Sequence, residues 1–270
     1  AEPTCLQTRL WVGSLSNIDG EPTQSRVCRQ VGSACTFCSV CGRFLSSASV
    51  HDVAAFFDAD EPDIDLGPNY NVAPTQDVYA VLQRPDDTRV LRVFEWGLIP
   101  SWAKDPTIAS KLVNARSETV SEKPSFRASF GTRRCIVPMD GFYEWTPGAA
   151  DGPRNARGTP LKQPYLIERR DGALLAVAGL WSAWRPPGSP GDTPWRHTCT
   201  LLTTAANETM AAIHDRMPVI LEREDWDNWL DRANTDTEML QHLLAPAGND
   251  VLVMRPVSTD VNNVRNRGPF

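Results

Sequence analysis

Apolar residues recur along the chain in short runs separated by polar loops, and their spacing predicts both helices and strands. In residues 46–59, "SSASVHDVAAFFDA", Val53, Phe56 and Phe57 stand at helical spacing behind serines that can cap a helix. Residues 77–83 and 89–100 are apolar runs joined by the turn sequence "RPDDT". This pattern predicts a helix followed by a β-hairpin.

The second half of the chain has the same character. Residues 134–145 predict two strands around Asp140-Gly141, and residues 164–181 predict a hairpin around Asp171-Gly172. A further strand is expected at 198–205, with short helices after Asn207, at 222–231 and at 237–248, and a last strand and polar tail at 251–266. Many short strands with peripheral helices predict one α+β domain around a bent, barrel-like, mixed or antiparallel sheet.

Residues 1–40 differ from the remainder of the chain because they are rich in Ser, Thr, Gln and Gly and lack apolar periodicity. We expect them to be a disordered leader or to be absent from the working protein, and we expect the domain to span 41–267. No secretory signal or run of 18 apolar residues is visible. An odd number of cysteines, seven, in a long chain favours a reduced, cytoplasmic protein.

The net charge of −6 argues against a polycation that coats nucleic acid without regard to sequence. Residues 1–40 hold three acids and three bases, so the excess of acidic residues lies in the other 230. A local basic groove remains compatible with this balance.

Three cysteines stand at three-residue spacing in "CTFCSVCGRF", at Cys35, Cys38 and Cys41. A zinc or iron–sulfur site needs a fourth ligand at a defined spacing. Cys28 lies seven residues upstream of Cys35, and His51 falls within the predicted helix. We therefore predict no metal site, which leaves two interpretations: three incidental thiols, or a special role for Cys41 alone.

Cys41 becomes chemically distinctive if it is the first residue. Val40 precedes it, and a GUG valine codon can serve as a bacterial start that is read as Met; removal of that Met would leave Cys41 at the N-terminus. An α-amine has a pKa of about 8, so a useful fraction is neutral and can form a Schiff base with an aldehyde. The adjacent thiol can then close a five-membered thiazolidine. This chemistry predicts an aldehyde substrate.

Seven motifs in one order carry a resemblance to a known family: "CGRF", "NYNVAPTQ", "WGLIPSWAKD", "NARSET", "RRCIVPMDGFYEW", "HDRMP" and "VNNVRN". From Cys41 to about Arg267 the chain resembles the SOS response-associated peptidase (SRAP) family, also described as abasic-site processing proteins. The resemblance implies an enzyme of the DNA damage response that traps the aldehyde of an abasic site in single-stranded DNA. The implied product is a covalent thiazolidine crosslink to an N-terminal cysteine, formed by a monomer without a cofactor.

The matching motifs imply the catalytic residues. Cys41 matches the nucleophile, Asn114 and Arg116 the polar pair of "NAR", Glu144 the acid of "GFYEW" and His214 the histidine of "HDRMP". The resemblance implies that Glu144 holds the Cys41 amine and moves protons, and that His214 opens the sugar ring and assists reversal. Asn114 is expected to bind the adduct, and Arg116 a phosphate.

Each of these residues also has a plain structural interpretation. Glu144 could be an exposed strand residue, although its neighbours Tyr143 and Trp145 suggest a partly desolvated carboxyl with a raised pKa. His214 could pair with Asp215 at a helix end, and "NARSET" could cap a helix or turn.

The expected DNA surface combines cations with flat rings. Pro74 and Trp96 resemble family positions that wedge or stack against bases beside the lesion, so Trp96→Ala should weaken binding without altering the crosslink at saturation. For Trp96 and Trp102 the alternative is core packing. The expected phosphate contacts are Arg43, Lys104, Lys111, Arg116, Arg216 and Arg265.

Two other functions remain open from the sequence. One is a thiol peptidase that uses Cys41 and His214 as nucleophile and base, and that could cleave the Val40–Cys41 bond of its own chain. The other is a noncatalytic zinc- or DNA-binding module built on the cysteines upstream of Cys41.

Overall fold

A computed structural model of the protein describes residues 41–270. The predicted leader and the upstream cysteines Cys28, Cys35 and Cys38 lie outside these residues. The described helices are α1 (Val50–Phe57), α2 (Arg127–Thr132), α3 (Glu208–Ala211), α4 (Trp226–Leu230) and α5 (Thr237–His242). The described strands are β1 (Phe44–Ser46), β2 (Ala59–Asp60), β3 (Asn69–Val72), β4 (Asp77–Gln83), β5 (Arg89–Trp96), β6 (Asn114–Arg116), β7 (Arg134–Met139), β8 (Gly141–Thr146), β9 (Gln163–Arg169), β10 (Leu175–Trp184), β11 (Arg196–Ala205), β12 (Arg216–Pro218) and β13 (Leu252–Pro256).

Five strands close into a barrel in the order β11, β10, β7, β4 and β5. The ring closes where β5 pairs with β11 through Trp96 and Cys199. This closing pair is parallel, whereas the other four pairs are antiparallel. Strand direction cannot alternate all the way around a ring with an odd number of strands, so one parallel pair is required. The prediction of an α+β domain around a barrel-like mixed sheet is confirmed.

The alternation of side chains along the barrel strands produces two cores. One buried cluster, on one face of the barrel strands, contains Val137, Val177 and Leu201. The same cluster includes Cys41 and Phe142. The opposite face packs in a separate cluster with residues of the helices, including Phe57, Ile136, Ala178, Trp226 and Trp229. Because side chains of a strand alternate between faces, one strand contributes to both cores.

The second sheet positions the candidate site. Its five strands run in the order β13, β9, β8, β1 and β3, and all neighbours are antiparallel. Strand β1 begins three residues after Cys41, and β8 contains Glu144. The pairing of Phe44 with Phe142 therefore aligns the segments that carry these two residues.

Both predicted hairpins in the second half are wrong, although their strands exist. β7 and β8 flank Asp140 but belong to different sheets, and so do β9 and β10 on either side of Asp171-Gly172. Gly141 lacks the positive φ of a tight turn. Glycine is required at this position for lack of space, because a Cβ there would lie 2.6 Å from the carbonyl oxygen of Ile167. The glycine thus permits close strand contact where the chain changes sheets.

The predicted local signals are confirmed where they depend on neighbouring residues only. Ser49 caps α1 by accepting a hydrogen bond from the amide of Asp52. Strand β4 spans the predicted residues 77–83 and pairs with β5 as expected. Asn207 caps α3, but this helix ends at Ala211 because the following segment includes β12, which pairs with β11.

Candidate active site

Cys41 and Glu144 meet in the interior. The backbone nitrogen of Cys41 donates a hydrogen bond of 2.6 Å to Oε1 of Glu144. Cys41 is fully buried and Glu144 is 5% exposed. In this chain the nitrogen belongs to the Val40–Cys41 peptide bond. Cys41 has a φ of 51°, a left-handed conformation that is uncommon for a residue with a side chain.

Burial sets the protonation of Glu144. It raises the pKa of this carboxyl to about 7, although the N–H groups of Cys41 and Trp145 oppose the shift. Lys162 also lowers the pKa, whereas Asp215 raises it. A carboxyl with a pKa near neutrality exchanges protons readily in either direction, which suits it to acid–base chemistry.

The Cys41 thiol is protonated at rest. Burial, and then the charge of Glu144, raise its pKa well above the ordinary value. A thiol in this state is a poor nucleophile because the thiolate is the reactive form. The nitrogen of Cys41 is hydrogen-bonded to the Glu144 carboxyl, and it would be the better placed nucleophile of the two if it were a free amine.

His214 is neutral in this arrangement. Its Nδ1 lies 3.0 Å from the amide nitrogen of Arg216 and 2.9 Å from Oδ1 of Asp215. The amide can only donate, so Nδ1 accepts and the ring proton lies on Nε2. Burial lowers the pKa of His214, which agrees with a neutral ring, although Asp215 acts in the opposite direction. The pairing with Asp215 that the plain interpretation predicts is present, since Nδ1 and Oδ1 lie 2.9 Å apart, but that carboxylate is 89% exposed.

Two charged side chains act electrostatically on both His214 and Glu144. Asp215 and Lys162 shift the pKa values of both groups. Because such effects fall with distance, Glu144 and His214 lie in one electrostatic neighbourhood. Lys162 was missed by the sequence analysis: it lies between a loop and β9, outside every motif that was singled out.

The "NAR" segment is a strand rather than a cap. Asn114 pairs with Leu201, and Arg116 with Thr203, in the parallel contact between β6 and β11. The 3-10 turn Ser117–Thr119 that follows has no side-chain cap, so the capping alternative is wrong. Asn114 is half-buried and Arg116 is exposed.

Trp96 lies in the core and presents no ring face to a DNA base. Its side chain is fully buried, its Nε1 donates to the carbonyl of Val113 at 2.9 Å, and its ring lies 5.2 Å from that of Phe44. Its inward position follows from the alternation along β5, which ends at this residue. The core-packing alternative is correct for Trp96.

Trp102, by contrast, is 57% exposed. It lines a surface cavity of about 420 Å³ together with Lys104 and Lys111. The exposed ring and two cations thus lie on one surface, and core packing is wrong for this tryptophan.

Two predicted phosphate contacts are held by the protein itself. Arg43 is half-buried, and its Nη1 donates to Oδ1 of Asn71 at 2.8 Å and to the carbonyl of Val261 at 3.0 Å. Arg216 forms an ion pair with Glu118 and donates to the carbonyl of Thr203. A DNA phosphate would have to compete with these partners. The predicted contacts to Pro74, which is half-buried, and to the exposed Arg265 stay predictions.

A polar segment near the C-terminus, residues 258–267, is hydrogen-bonded to residues around the site; we call it the C-terminal strap. The side-chain amide of Asn71 donates to the carbonyls of Val261, Asn263 and Asn266 at 2.9–3.2 Å. Oδ1 of Asn262 accepts from Nε1 of Trp145 at 2.6 Å, and its Nδ2 donates to the carbonyl of Lys162 at 3.2 Å. The strap therefore holds the residue after Glu144.

Comparison with known proteins identifies the family. Residues 40–264 match the family described as SOS response associated peptidase (SRAP). The chain belongs to the SRAP family. The abasic site processing protein YoqW of Bacillus subtilis is 41% identical over 233 residues, which are 85% of this chain and 97% of the relative. The abasic site processing protein HMCES of Xenopus tropicalis is 36% identical, over 75% of this chain and 64% of the relative.

Solved structures share the fold of this SRAP chain. A crystal structure of a protein from Bacteroides thetaiotaomicron matches with a TM-score of 0.70 and 27% identity, covering 85% of this chain and all of the other. A protein from Bordetella bronchiseptica matches with a TM-score of 0.65 and 26% identity, covering 81% and all of the other chain.

Two further observations concern only the described part of the SRAP chain. Within residues 41–270 no group of three or more His, Cys, Asp or Glu side chains is arranged to hold a metal ion. The same residues contain no helix with the length and apolar character needed to traverse a bilayer. The zinc-module hypothesis relies on cysteines outside this part of the chain.

We expect Asn262→Ala to slow reactions that depend on Glu144 by about tenfold, because small displacements of a reacting group are costly. The change removes both the acceptor for Trp145 and the donor to Lys162. Single-turnover rates at saturating DNA would measure the effect. Asn262→Asp keeps the acceptor for Trp145 and should be impaired less; equal rates for wild type and Asn262→Ala would contradict the positioning role of the strap.

Proposed function

We propose that this SRAP protein processes abasic sites in single-stranded DNA, and that it does so by forming a covalent thiazolidine crosslink through Cys41 as the N-terminal residue. The observation that carries the proposal is the buried hydrogen bond of 2.6 Å between the Cys41 nitrogen and Glu144. The relatives named abasic site processing proteins, which match most of the chain, support the substrate. We expect a cytoplasmic monomer acting on damaged DNA.

The first step is attack by the free α-amine of Cys41 on the aldehyde carbon of the ring-opened sugar. The amine must be neutral, and its ordinary pKa of about 8 leaves a useful fraction in that form at neutral pH. With Val40 attached, burial raises the pKa of Glu144 to about 7, so this carboxyl can both donate and accept a proton. Glu144, starting as the neutral acid, protonates the carbonyl oxygen as the amine attacks, and its carboxylate then takes a proton from the nitrogen to give the carbinolamine. Glu144 returns that proton to the hydroxyl, which leaves as water, so that a protonated Schiff base and a Glu144 carboxylate remain.

In the second step the thiol adds to the imine carbon and closes the ring. One carbon–sulfur bond forms, the thiol proton passes to the Glu144 carboxylate, and the π electrons of the C=N bond move to the protonated imine nitrogen, which becomes a secondary amine. The protonated imine places a positive charge beside a thiol that is otherwise kept protonated, and such a charge lowers a thiol pKa. Thiol reactivity would thus be restricted to the moment when the imine has formed.

His214 is suited to the sugar itself. A neutral imidazole with its proton on Nε2 can donate to the ring oxygen of a closed sugar, while a base removes the proton of the anomeric hydroxyl. We assign His214 to ring opening and to reversal of the crosslink. Asn114 and Arg116 are assigned to the adduct and to a neighbouring phosphate.

The DNA-facing surface is proposed to include Trp102 in place of Trp96. The exposed ring provides a face for a base, and Lys104 and Lys111 beside it provide charge for the backbone. Such a surface binds strands without sequence preference, because every base has a stacking face.

Replacing Trp102 by Ala is expected to weaken binding of single-stranded DNA by about 1–3 kcal/mol, the usual contribution of a stacked base. Crosslink yield at saturating DNA should not change. Fluorescence anisotropy with a labelled strand measures the affinity, and Trp195→Ala, which removes another half-exposed tryptophan, is the matched control. If both variants bind like wild type, the stacking surface lies elsewhere.

A second candidate activity is cleavage of the Val40–Cys41 bond by the same groups. The backbone nitrogen of Cys41, which is hydrogen-bonded to Glu144, is the leaving group when that peptide bond is cleaved. The Cys41 thiol would add to the Val40 carbonyl, the nitrogen would leave with a proton from Glu144, and water would hydrolyse the resulting thioester. This would release residues 1–40 and expose the amine. A general thiol peptidase is less well supported, since it needs a thiolate–imidazolium pair and both pKa shifts run the opposite way.

The proposed function is tested by incubating protein that begins at Cys41 with an abasic single strand, followed by a denaturing gel. We expect a retained band whose intact mass equals protein plus DNA less one water. A matched strand without the lesion should give no such band. Peptide cleavage without a retained band would favour the peptidase, and loss of the band on denaturation would overturn the thiazolidine. Intact mass of the full chain during storage would reveal self-cleavage.

A further inference from the structure

One end of the barrel opens into a cavity of about 460 Å³ that contains none of the residues assigned to the Cys41 site. We call it the barrel-mouth pocket. Its walls are the rings of Phe94, Trp181 and His197, which come from β5, β10 and β11. Small-molecule sites commonly occupy the mouths of β-barrels, and this volume is within their usual range.

The pocket has a closed floor because the centre of the barrel is filled by small side chains. Cys135, Val137 and Cys199 are fully buried there. Gly179 packs so closely that a Cβ would lie 2.9 Å from Sγ of Cys135. The barrel is therefore filled below the mouth, and Trp181 and His197 line the opening above the buried ring of Phe94.

The three rings form one aromatic cluster. Centroids are separated by 5.8 Å between Phe94 and Trp181, 5.9 Å between Phe94 and His197, and 6.4 Å between Trp181 and His197. Phe94 is buried, whereas His197 is exposed and Trp181 is half-buried. The cluster thus presents ring surface to an incoming flat molecule, and its two polar rings carry hydrogen-bonding nitrogens.

One guanidinium group lines the pocket, and a second lies against the ring of Trp181. Arg92 is exposed and lines the cavity, and Arg133 lies 5.8 Å from the centroid of the Trp181 ring. In the described part of the chain neither forms an ion pair, although many other arginines do. One acid, Asp63, lies at the rim. Unpaired guanidinium groups beside flat rings suit an aromatic ligand that carries an anion.

We propose that the barrel-mouth pocket binds a nucleobase that carries a phosphate. The base would stack on the rings of Trp181 and His197, and the phosphate would pair with Arg92 and Arg133. Asp63 can accept from an exocyclic amino group, which favours adenine over thymine. The site is separate from the proposed crosslinking chemistry and does not depend on it.

Histidine side-chain NMR tests this directly, because the chain has four histidines and His197 is the one that lines the pocket. We expect dAMP to shift the His197 ring signals saturably and to leave those of His214 unchanged. Trp181→Leu and Arg92→Gln should each weaken binding by about tenfold, within the range for a stacked base or a charged contact. Thymidine 5′-phosphate should bind more weakly.

Control ligands decide between outcomes. Deoxyadenosine and inorganic phosphate should each bind more weakly than dAMP; equal binding by phosphate alone would overturn the stacking role. The absence of any His197 shift at millimolar dAMP, or shifts confined to His214, would overturn the site. Unaltered thermal unfolding and unaltered crosslinking by Arg92→Gln would show that the variant is folded.

The ligand could be a free nucleotide or a base of a strand, and the same signals distinguish them. A short oligodeoxyadenylate without abasic sites is the second probe. Tighter binding of dAMP than of the oligonucleotide at His197 assigns the pocket to free nucleotides. Tighter binding of the oligonucleotide, lost in Trp181→Leu, assigns it to a second contact with the strand.

Discussion

Glu144→Gln is expected to slow crosslinking to abasic DNA by about 10²–10³-fold, the usual contribution of a positioned acid–base group. Glutamine keeps an oxygen that can accept the hydrogen bond from the Cys41 nitrogen, now 2.6 Å from Oε1. It cannot exchange protons near pH 7, as the native carboxyl with a pKa of about 7 does. The loss should therefore appear in the rate of the chemical step and leave DNA affinity almost unchanged.

The same variant should be more stable than wild type at alkaline pH. Burial raises the Glu144 pKa from 4.5 to about 7, so the folded state disfavours the charged form. The stability contribution of the neutral carboxyl is fully present below pH 4.5 and is lost as the pH rises through about 7. At about 1.4 kcal/mol per pH unit, the difference amounts to about 3 kcal/mol.

Denaturant unfolding at pH 5 and pH 8 measures this effect in protein that retains the Val40–Cys41 peptide bond. Wild type should lose stability between the two values relative to Glu144→Gln. In protein with a free Cys41 amine the difference should shrink, because an ammonium group 2.6 Å away would favour the carboxylate. If wild type and Glu144→Gln showed the same change in stability between pH 5 and pH 8, burial would not raise the pKa of this carboxyl. An undiminished crosslinking rate in Glu144→Gln would contradict its catalytic role.

Cys41→Ser, made as the first residue, is expected to abolish the denaturation-resistant crosslink entirely. The variant keeps the α-amine and loses the thiol, so the reaction should stop at the Schiff base. An imine hydrolyses on denaturation, whereas borohydride reduces it to a stable amine. A band that appears only after borohydride treatment would separate the role of the amine from that of the sulfur.

Two controls make this result specific to the terminal residue. Protein with residue 40 still attached keeps the Cys41 thiol but has no free amine on that residue, and it should form no denaturation-resistant band without reduction while the Val40–Cys41 bond is intact. Cys199→Ser alters a fully buried thiol of the barrel and should crosslink normally once folded. A denaturation-resistant band from Cys41→Ser without reduction would mean that sulfur takes no part in the adduct.

Residues whose behaviour depends on near neighbours were predicted well from the sequence. The cap at Ser49 and the limits of β4 follow from adjacent residues. The raised pKa of Glu144 was also predicted, although its cause is burial in the folded protein. The position of Lys162 could not be predicted in this way. Its influence on Glu144 and His214 depends on β8, β9 and the C-terminal strap meeting in space, and no local pattern marks that meeting.

The sequence by itself determined where the long strands form and which residues alternate along them, and its resemblance to a family singled out Cys41 and Glu144. Apart from the hairpin of β4 and β5, only the tertiary structure decided which strands are neighbours, and it separated β7 from β8 and β9 from β10. It likewise buried Trp96 and exposed Trp102. The physical reason is that a period of two specifies the face of a side chain, whereas barrel closure specifies whether that face meets a core or water.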